Sequence, residues 1–231
     1  MYKWQAIIFD LDDTLYSERM FVLSGFRAVA VWAEQMLGIP AAVGYDELTA
    51  LFEAGVRGDT FNRWLASHNI NEDVVSSLVR IYRSHTPQIS PFPEVPGILS
   101  ALSEAFTLGL LSDGYLDVQR RKLDALQLVS FFDIVLFSDE LGREFWKPST
   151  KPFETILEQL SIRRPELAVY IGDNPLKDFL GARQTGMRTI WLRRADGEYA
   201  HLELPSAAHK PDIQVTSLRQ VLDLLKSYEP E

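Results

Sequence analysis

Apolar residues along this chain fall into two patterns, short unbroken runs and longer stripes at three- and four-residue spacing. The runs cover 6–9, 106–111, 134–137, 167–171 and 188–192, with a weaker one at 212–216. They do not alternate apolar with polar, which predicts strands buried on both faces. Helical stripes separate most of them. Ile98, Leu99, Leu102, Ala105 and Phe106 follow Pro96, a residue suited to a first helical turn. Phe153, Ile156, Leu157 and Leu160 keep the same rhythm after Pro152, as do Leu176, Phe179, Leu180 and Arg183 after Pro175. Ser217 is placed to cap a last helix carrying Leu218, Val221, Leu222 and Leu225. Strands alternating with helices of this length predict an α/β fold, a doubly wound parallel sheet covered on both faces.

Residues 17–87 break the alternation. Val22, Phe26, Val29, Ala33 and Met36 form one helical stripe, which ends near Gly38 and Pro40. Phe61, Trp64, Leu65 and His68 form a second behind a capping Asp59, and Val74, Val75, Leu78, Ile81 and Tyr82 a third behind Asn71. Leu48, Leu51 and Phe52 suggest a shorter helix. The pattern predicts a helical subdomain over 17–87, inserted after the first strand of a core formed by 1–16 and 88–231. The Pro-rich stretch from Thr86 to Pro93 reads as a stiff linker back to that core.

Composition narrows the class. The chain has 231 residues, 46% hydrophobic and 24% charged, ordinary for a globular protein with a proper core. A formal net charge of −9 argues against nucleic acid or an anionic membrane as partner, though one local cation site can still receive an anionic substrate. With no cysteine, disulfides and thiolate chemistry are absent. No apolar run is long enough to span a membrane, and the first residues lack the regions of a signal peptide, so a cytoplasmic setting is expected. The four histidines, His68, His85, His201 and His209, are scattered without metal-ligand spacing.

The chemistry gathers where strands end. Ala6 to Phe9 run directly into Asp10, Asp12 and Asp13. Like charges this close repel, and burial raises the cost of ionising them, so a divalent cation is the economical partner for their oxygens. A helix-capping polar turn is the plainer reading of these three residues alone. Ligands of a doubly wound sheet bind outside the carboxyl ends of its strands, where this cluster is expected. Leu108 to Leu111 lead into Ser112-Asp113-Gly114, whose hydroxyl and closely approaching backbone N–H suit a phosphoryl oxygen. The segment lacks the first glycine of a nucleophile elbow. Lys147-Pro148 supplies a cation near the same edge, with Lys151-Pro152 as a second candidate. Val169 to Ile171 then open into Gly172-Asp173, and Asp178 follows at a spacing that lets it face the same site.

Together these four segments resemble the haloacid dehalogenase-like hydrolase superfamily, over about 160 of the 231 residues. Asp10, Asp12, Asp13 and Thr14 match its first motif, Ser112-Asp113-Gly114 its second and Lys147-Pro148, with Phe153 six positions after the lysine, its third. Gly172-Asp173 with Asp178, followed by Gly181-Ala182 and Gly186-Met187, match its fourth. A helical insert between the first two motifs resembles the family's C1 cap. The resemblance implies a Rossmann-like core, Mg²⁺ dependence and, most often, hydrolysis of phosphomonoesters through an aspartyl-phosphate.

In that frame Asp10 is the expected nucleophile and Asp12 the acid–base group. Ser112, Gly114 and Lys147 are expected to neutralise the phosphoryl oxygens, with Thr14 and Asp113 also on the substrate side. The expected metal set is Asp10, Asp12 through its backbone carbonyl, Asp173 and Asp178, the last steadying Asp173 or a metal-bound water. Asp13 is expected only to form the turn. Arg57 and Arg63 on the insert read as solvated surface, with contact to an anionic substrate as the alternative. A phosphomutase would use the same core. A 2-haloacid dehalogenase would need no leaving-group acid and no phosphate-balancing metal, and a phospho-receiver module would be shorter and lack a cap. The expected partner is therefore a small soluble phosphate ester.

Overall fold

A computed structural model describes residues 4–227. The chain divides into two compact units, Met1–Ser17 with Ser90–Glu231, and Glu18–Ile89. The first unit is built on six strands: β1 (Ala6–Phe9), β2 (Thr107–Ser112), β3 (Ile134–Phe137), β4 (Ala168–Gly172), β5 (Arg188–Leu192) and β6 (Ile213–Val215). They form one sheet in the order β3-β2-β1-β4-β5-β6, and every neighbouring pair is parallel. The chain adds strands on one side of β1, then crosses to place β4 on the other. That reversal makes a switch point between β1 and β4, where open α/β sheets bind their ligands.

The expected α/β sheet is present, and the unbroken apolar runs are explained by its two covered faces. Ala6, Ile8, Ala168 and Tyr170 pack beneath Phe153, Ile156, Leu157 and Ala182. On the opposite pleat Ile7, Phe9, Val169 and Ile171 are buried as well. Gly109 pairs with Ile8 in register, and a Cβ there would press on Ile8, Ile156 and Leu160.

Helices α1 (Glu18–Leu37), α2 (Ala41–Glu53), α3 (Thr60–Ser67) and α4 (Val75–Ser84) make up the second unit. Their core is Phe26, Val29, Ala33, Ile39, Leu48, Trp64, Leu65 and Leu78. Several details depart from the sequence pattern. The buried face of α1 runs through Phe21, Gly25, Phe26, Val29, Ala30 and Ala33, so Met36 lies outside it and is 63% exposed. Asp59 precedes α3 but makes no cap hydrogen bond, because its carboxylate takes the Arg63 guanidinium at 2.8 Å. Asn71 caps a 3₁₀ turn, Glu72–Val74, by accepting from the Asp73 amide. Trp64 buries its ring fully and donates its indole N–H to Glu47, which also meets His68 at 2.6 Å.

The remaining helices belong to the sheet unit: α5 (Val95–Ser103), α6 (Leu116–Leu126), α7 (Lys151–Gln159), α8 (Asp178–Gln184) and α9 (Leu218–Ser227). The stripe after Pro96 stops at Ser103, since Phe106 already belongs to the turn into β2. Leu176 precedes α8 and is exposed, because the chain leaves β4 through a turn before the helix begins. No described helix is long and apolar enough to cross a membrane.

Helix α8 lies close against the segment that follows Lys147. A Cβ on Gly181 would come within 2.5 Å of the Pro148 carbonyl oxygen and 2.7 Å of that of Ser149. Backbone oxygens cannot swing aside as a side chain would. Gly181→Ala is therefore expected to lower stability by about 1–3 kcal/mol. A urea titration should show a reduced midpoint at unchanged slope.

Candidate active site

The candidate residues come from the ends of β1, β2 and β4, from the segment before α7 and from the start of α8. Asp10 follows β1 and stays in the ladder, its N–H donating to the Ile171 carbonyl at 2.8 Å. That bond fixes the exit of β1 beside β4, whose own exit carries Asp173. Asp173 is pinned in turn by the Trp191 indole N–H, which donates to its backbone carbonyl. Asp178 opens α8 and curls back. One of its oxygens accepts the Asn174 N–H at 2.8 Å, and a Cβ on Gly172 would collide with its carboxyl group. Glycine at 172 thus makes the space that Asp178 occupies.

Lys147 is the hub. Its ammonium group donates at 2.7 Å to Asp10, to Asp178 and to the Tyr170 hydroxyl, and its side chain has no exposed surface. Burial works against its charge, but Asp10 and Asp178 more than offset this and hold its pKa well above the usual lysine value. Lys151, by contrast, is exposed at the start of α7. The Lys147-Pro148 peptide bond is cis.

The second strand end is tied to the same hub. Asp113 does not present its Oδ1 oxygen to solvent: that atom accepts from the Ser138 hydroxyl at 2.6 Å and from the Lys147 N–H at 3.2 Å. Asp113, expected on the substrate side, thereby acts as a strut between the loop after β2 and the segment before α7. Gly114 adopts a φ of +131°, which favours glycine. Thr14 is fully buried, and its hydroxyl oxygen has no hydrogen-bond partner among the described residues. Asp13 sits at a φ of +50° in the turn.

Asp12 stands apart from the other carboxylates. Its Oδ1 accepts from the Tyr16 hydroxyl at 2.5 Å and the Lys122 ammonium at 2.7 Å, and its Oδ2 from the Gln119 amide at 2.9 Å. Burial pushes its pKa up, but Lys122, Tyr16 and Gln119 together hold it below the ordinary carboxylate value. None of these three partners stood out in the sequence, and α6, which carries two of them, had no recognisable stripe. Two polar residues on its buried face hide the periodicity. Tyr170 was hidden differently, since a tyrosine within a strand reads as core.

Arg57 donates to the Phe52 and Val56 carbonyls and lies over the Phe52 ring, while Arg63 pairs with Asp59. Both arginines are thus engaged within their own helical unit.

Three buried carboxylates, Asp10, Asp173 and Asp178, present oxygens that all lie within 4.8 Å of one another. Burial and the neighbouring Asp178 push Asp10 up to about 6, against the opposing pull of Lys147. Burial, then Asp178 and Asp10, push Asp173 well above the usual range. Its Oδ2 is buried without a hydrogen-bond partner among the described residues. Excess negative charge, an orphaned oxygen and an all-oxygen donor set fit a hard divalent cation.

The linkage has a definite sign. A carboxyl raised from 3.8 to about 6 leaves the unfolded chain deprotonating first, so the metal-free protein loses stability as pH rises through that window. A cation binding the ionised site reverses the loss. The rise in Tm caused by sub-saturating Mg²⁺ should therefore be large above pH 6 and shrink as pH falls toward 4, which differential scanning fluorimetry can follow. A Tm increment independent of pH would remove these carboxylates from the binding site.

Comparison with known proteins gives a consistent picture. Residues 7–192 match the family described as haloacid dehalogenase-like hydrolase. A glyceraldehyde 3-phosphate phosphatase of Methanopyrus kandleri is 31% identical over 96% of this chain and 97% of its own. A pyrimidine 5′-nucleotidase of Escherichia coli is 27% identical over 96% and 98%. Among solved structures, a 2-haloacid dehalogenase of Pseudomonas syringae shares the fold with a TM-score of 0.67, at 24% identity over 98% of this chain and all of the other (100%).

Proposed function

The chain belongs to the haloacid dehalogenase-like hydrolase family, and from that premise we propose that it is a Mg²⁺-dependent phosphomonoesterase acting on a small phosphorylated metabolite through an aspartyl-phosphate on Asp10. One observation carries the choice of chemistry. A second carboxylate, Asp12, lies two residues after Asp10 and has its own donors, Tyr16, Gln119 and Lys122. An alkoxide leaving group needs a proton and a halide does not, so a separate acid–base group suits ester hydrolysis. The fold is shared with dehalogenases and does not decide between them. Curated relatives that align along nearly the whole chain bear phosphatase names.

The steps follow from the side chains. Asp10 attacks phosphorus through a carboxylate oxygen, forming an acyl-phosphate as the ester P–O bond breaks. The leaving oxygen takes its proton from Asp12, which brings one into this step from solvent or from the preceding turnover, since its contacts at rest favour the ionised form. Water then attacks the acyl-phosphate phosphorus and gives a proton to Asp12, which releases inorganic phosphate and restores the Asp10 carboxylate. Asp12 as held here is in the base form that this second step uses. Lys147, Ser112 and the Gly114 N–H stabilise charge on the phosphoryl oxygens. Asp10, Asp173, Asp178 and the Asp12 carbonyl would hold Mg²⁺. Bound there, the ion would neutralise phosphoryl charge and hold the nucleophile and the phosphoryl group in place. The helical unit Glu18–Ile89 is assigned substrate selection as part of this reading.

Turnover of p-nitrophenyl phosphate should require Mg²⁺, cease with a chelator and return when the ion is restored. Asp10→Asn should abolish it. Asp12→Asn, which keeps the size and the backbone carbonyl, should lower kcat by about 10²–10⁴-fold, the usual worth of acid–base help. Halide release from a 2-haloacid with little phosphatase activity would sink the proposal.

A further inference from the structure

We propose that Gln119 and Lys122 are positioning residues of this reaction, together holding the Asp12 carboxylate and setting the hydroxyl of Ser112 as a hydrogen-bond donor. The inference rests on the roles given above to Asp12 and Ser112.

Helix α6 turns an unusual face to the interior. Its buried positions are Gln119, Lys122, Leu123 and Leu126, a 3-and-4 stripe in which half the residues are polar. Gln119 is 1% exposed and Lys122 3%. Burying an amide and an ammonium group is unfavourable unless every donor is met, and apolar residues at both positions would make an ordinary helix face. Their partners are the site itself. Lys122 reaches Asp12 Oδ1 at 2.7 Å, while the single nitrogen Nε2 of Gln119 lies 2.9 Å from Asp12 Oδ2 and 2.7 Å from both Ser112 Oγ and the Asp113 carbonyl oxygen.

Hydrogen-bond polarity does the rest. The Asp113 carbonyl cannot donate, so the NH₂ end of the Gln119 amide must face this cluster, its two protons shared among three oxygens. An amide nitrogen does not accept, so the Ser112 hydroxyl can only receive from Gln119, and its own proton points elsewhere. A hydroxyl so fixed is a donor to an incoming phosphoryl oxygen. The neighbouring loop is laid on the same side chain: a Cβ on Gly114 would sit 3.0 Å from Gln119 Cδ. One face of α6 thus orients the proton-transfer carboxylate and the phosphoryl-binding hydroxyl together.

The test compares kcat/KM for glycerol 1-phosphate, whose alkoxide must be protonated, with p-nitrophenyl phosphate, whose phenolate leaves unaided. This parameter reports only the steps through departure of the leaving group, so the later use of Asp12 as a base does not blur it. Lys122→Met should lower kcat/KM for the alkyl ester by about 10²-fold and for the aryl ester far less, the loss of a fixed direction outweighing the easier protonation of Asp12 once the ammonium group is gone. Lys122→Arg should recover part of the loss. Gln119→Met should lower the same alkyl-to-aryl ratio and also raise KM for both esters, because Ser112 loses its fixed polarity. In the Asp12→Asn background neither substitution should change the ratio further, the result expected of residues that act through Asp12. If Lys122→Met does not fold, Lys122→Gln, which removes the charge but keeps a donor, is read by the same ratio.

Equal losses on both esters, or an undiminished effect of either substitution in the Asp12→Asn background, would show a purely structural helix face and overturn the inference. An inactive wild type, or an Asp12→Asn variant with full alkyl-ester activity, would instead defeat the functional reading beneath it.

Discussion

An ammonium group with no exposed surface, that of Lys147, is the contact around which the sheet edge is organised. It joins Asp10 from β1 to Asp178 from α8 and takes the Tyr170 hydroxyl from β4. A buried cation of this kind tolerates no missing partner, because an unpaired charge in the interior costs several kcal/mol. The loops are therefore mutually dependent. Asp113 holds the Lys147 backbone, and α8 packs so closely on Pro148 and Ser149 that only glycine fits at 181. Displacing any one loop would strand the charge at the centre.

Topology explains why the carboxylates meet. β1 and β4 are neighbours on the two sides of the switch point, so their exits place Asp10 and Asp173 side by side, and α8 returns Asp178 to them. Lys147 offsets part of this charge, while burial first, and the neighbouring carboxylates after it, keep the carboxyls of Asp10 and Asp173 raised. The site carries the imbalance that a dication relieves. Asp12 belongs to a different electrostatic neighbourhood, satisfied by Lys122, Gln119 and Tyr16 and held low where the others are held high. Two carboxylates two residues apart are thereby held in opposite electrostatic settings.

The helical unit has its own core, centred on Trp64, Leu48 and Phe26, and its prominent cations are engaged locally. A scaffold carrying the chemistry and a separately packed insert can change independently, which is consistent with relatives of this length named for different phosphate esters.

Sequence alone determined the elements whose burial is uniform. Strands buried on both faces are apolar throughout, so β1 and β4, buried along their whole length, were legible as runs, and the carboxylates that follow them stood out as a break in pattern. Apolar helix faces such as that of α7 were legible from period alone. Only tertiary structure decided which lysine turns inward, since Lys147 and Lys151 each precede a proline and differ only in what surrounds them. It also decided that Asp113 is a strut, that Met36 lies off the packed face of its helix, and that Asp59 prefers Arg63 to a cap. Helix α6 marks the limit most clearly. A hydrophobic pattern reports burial only when buried residues are apolar, and Gln119 and Lys122 are buried because carboxyl, hydroxyl and carbonyl oxygens satisfy them. The partner they share, Asp12, lies more than a hundred positions away, and no local spacing records it.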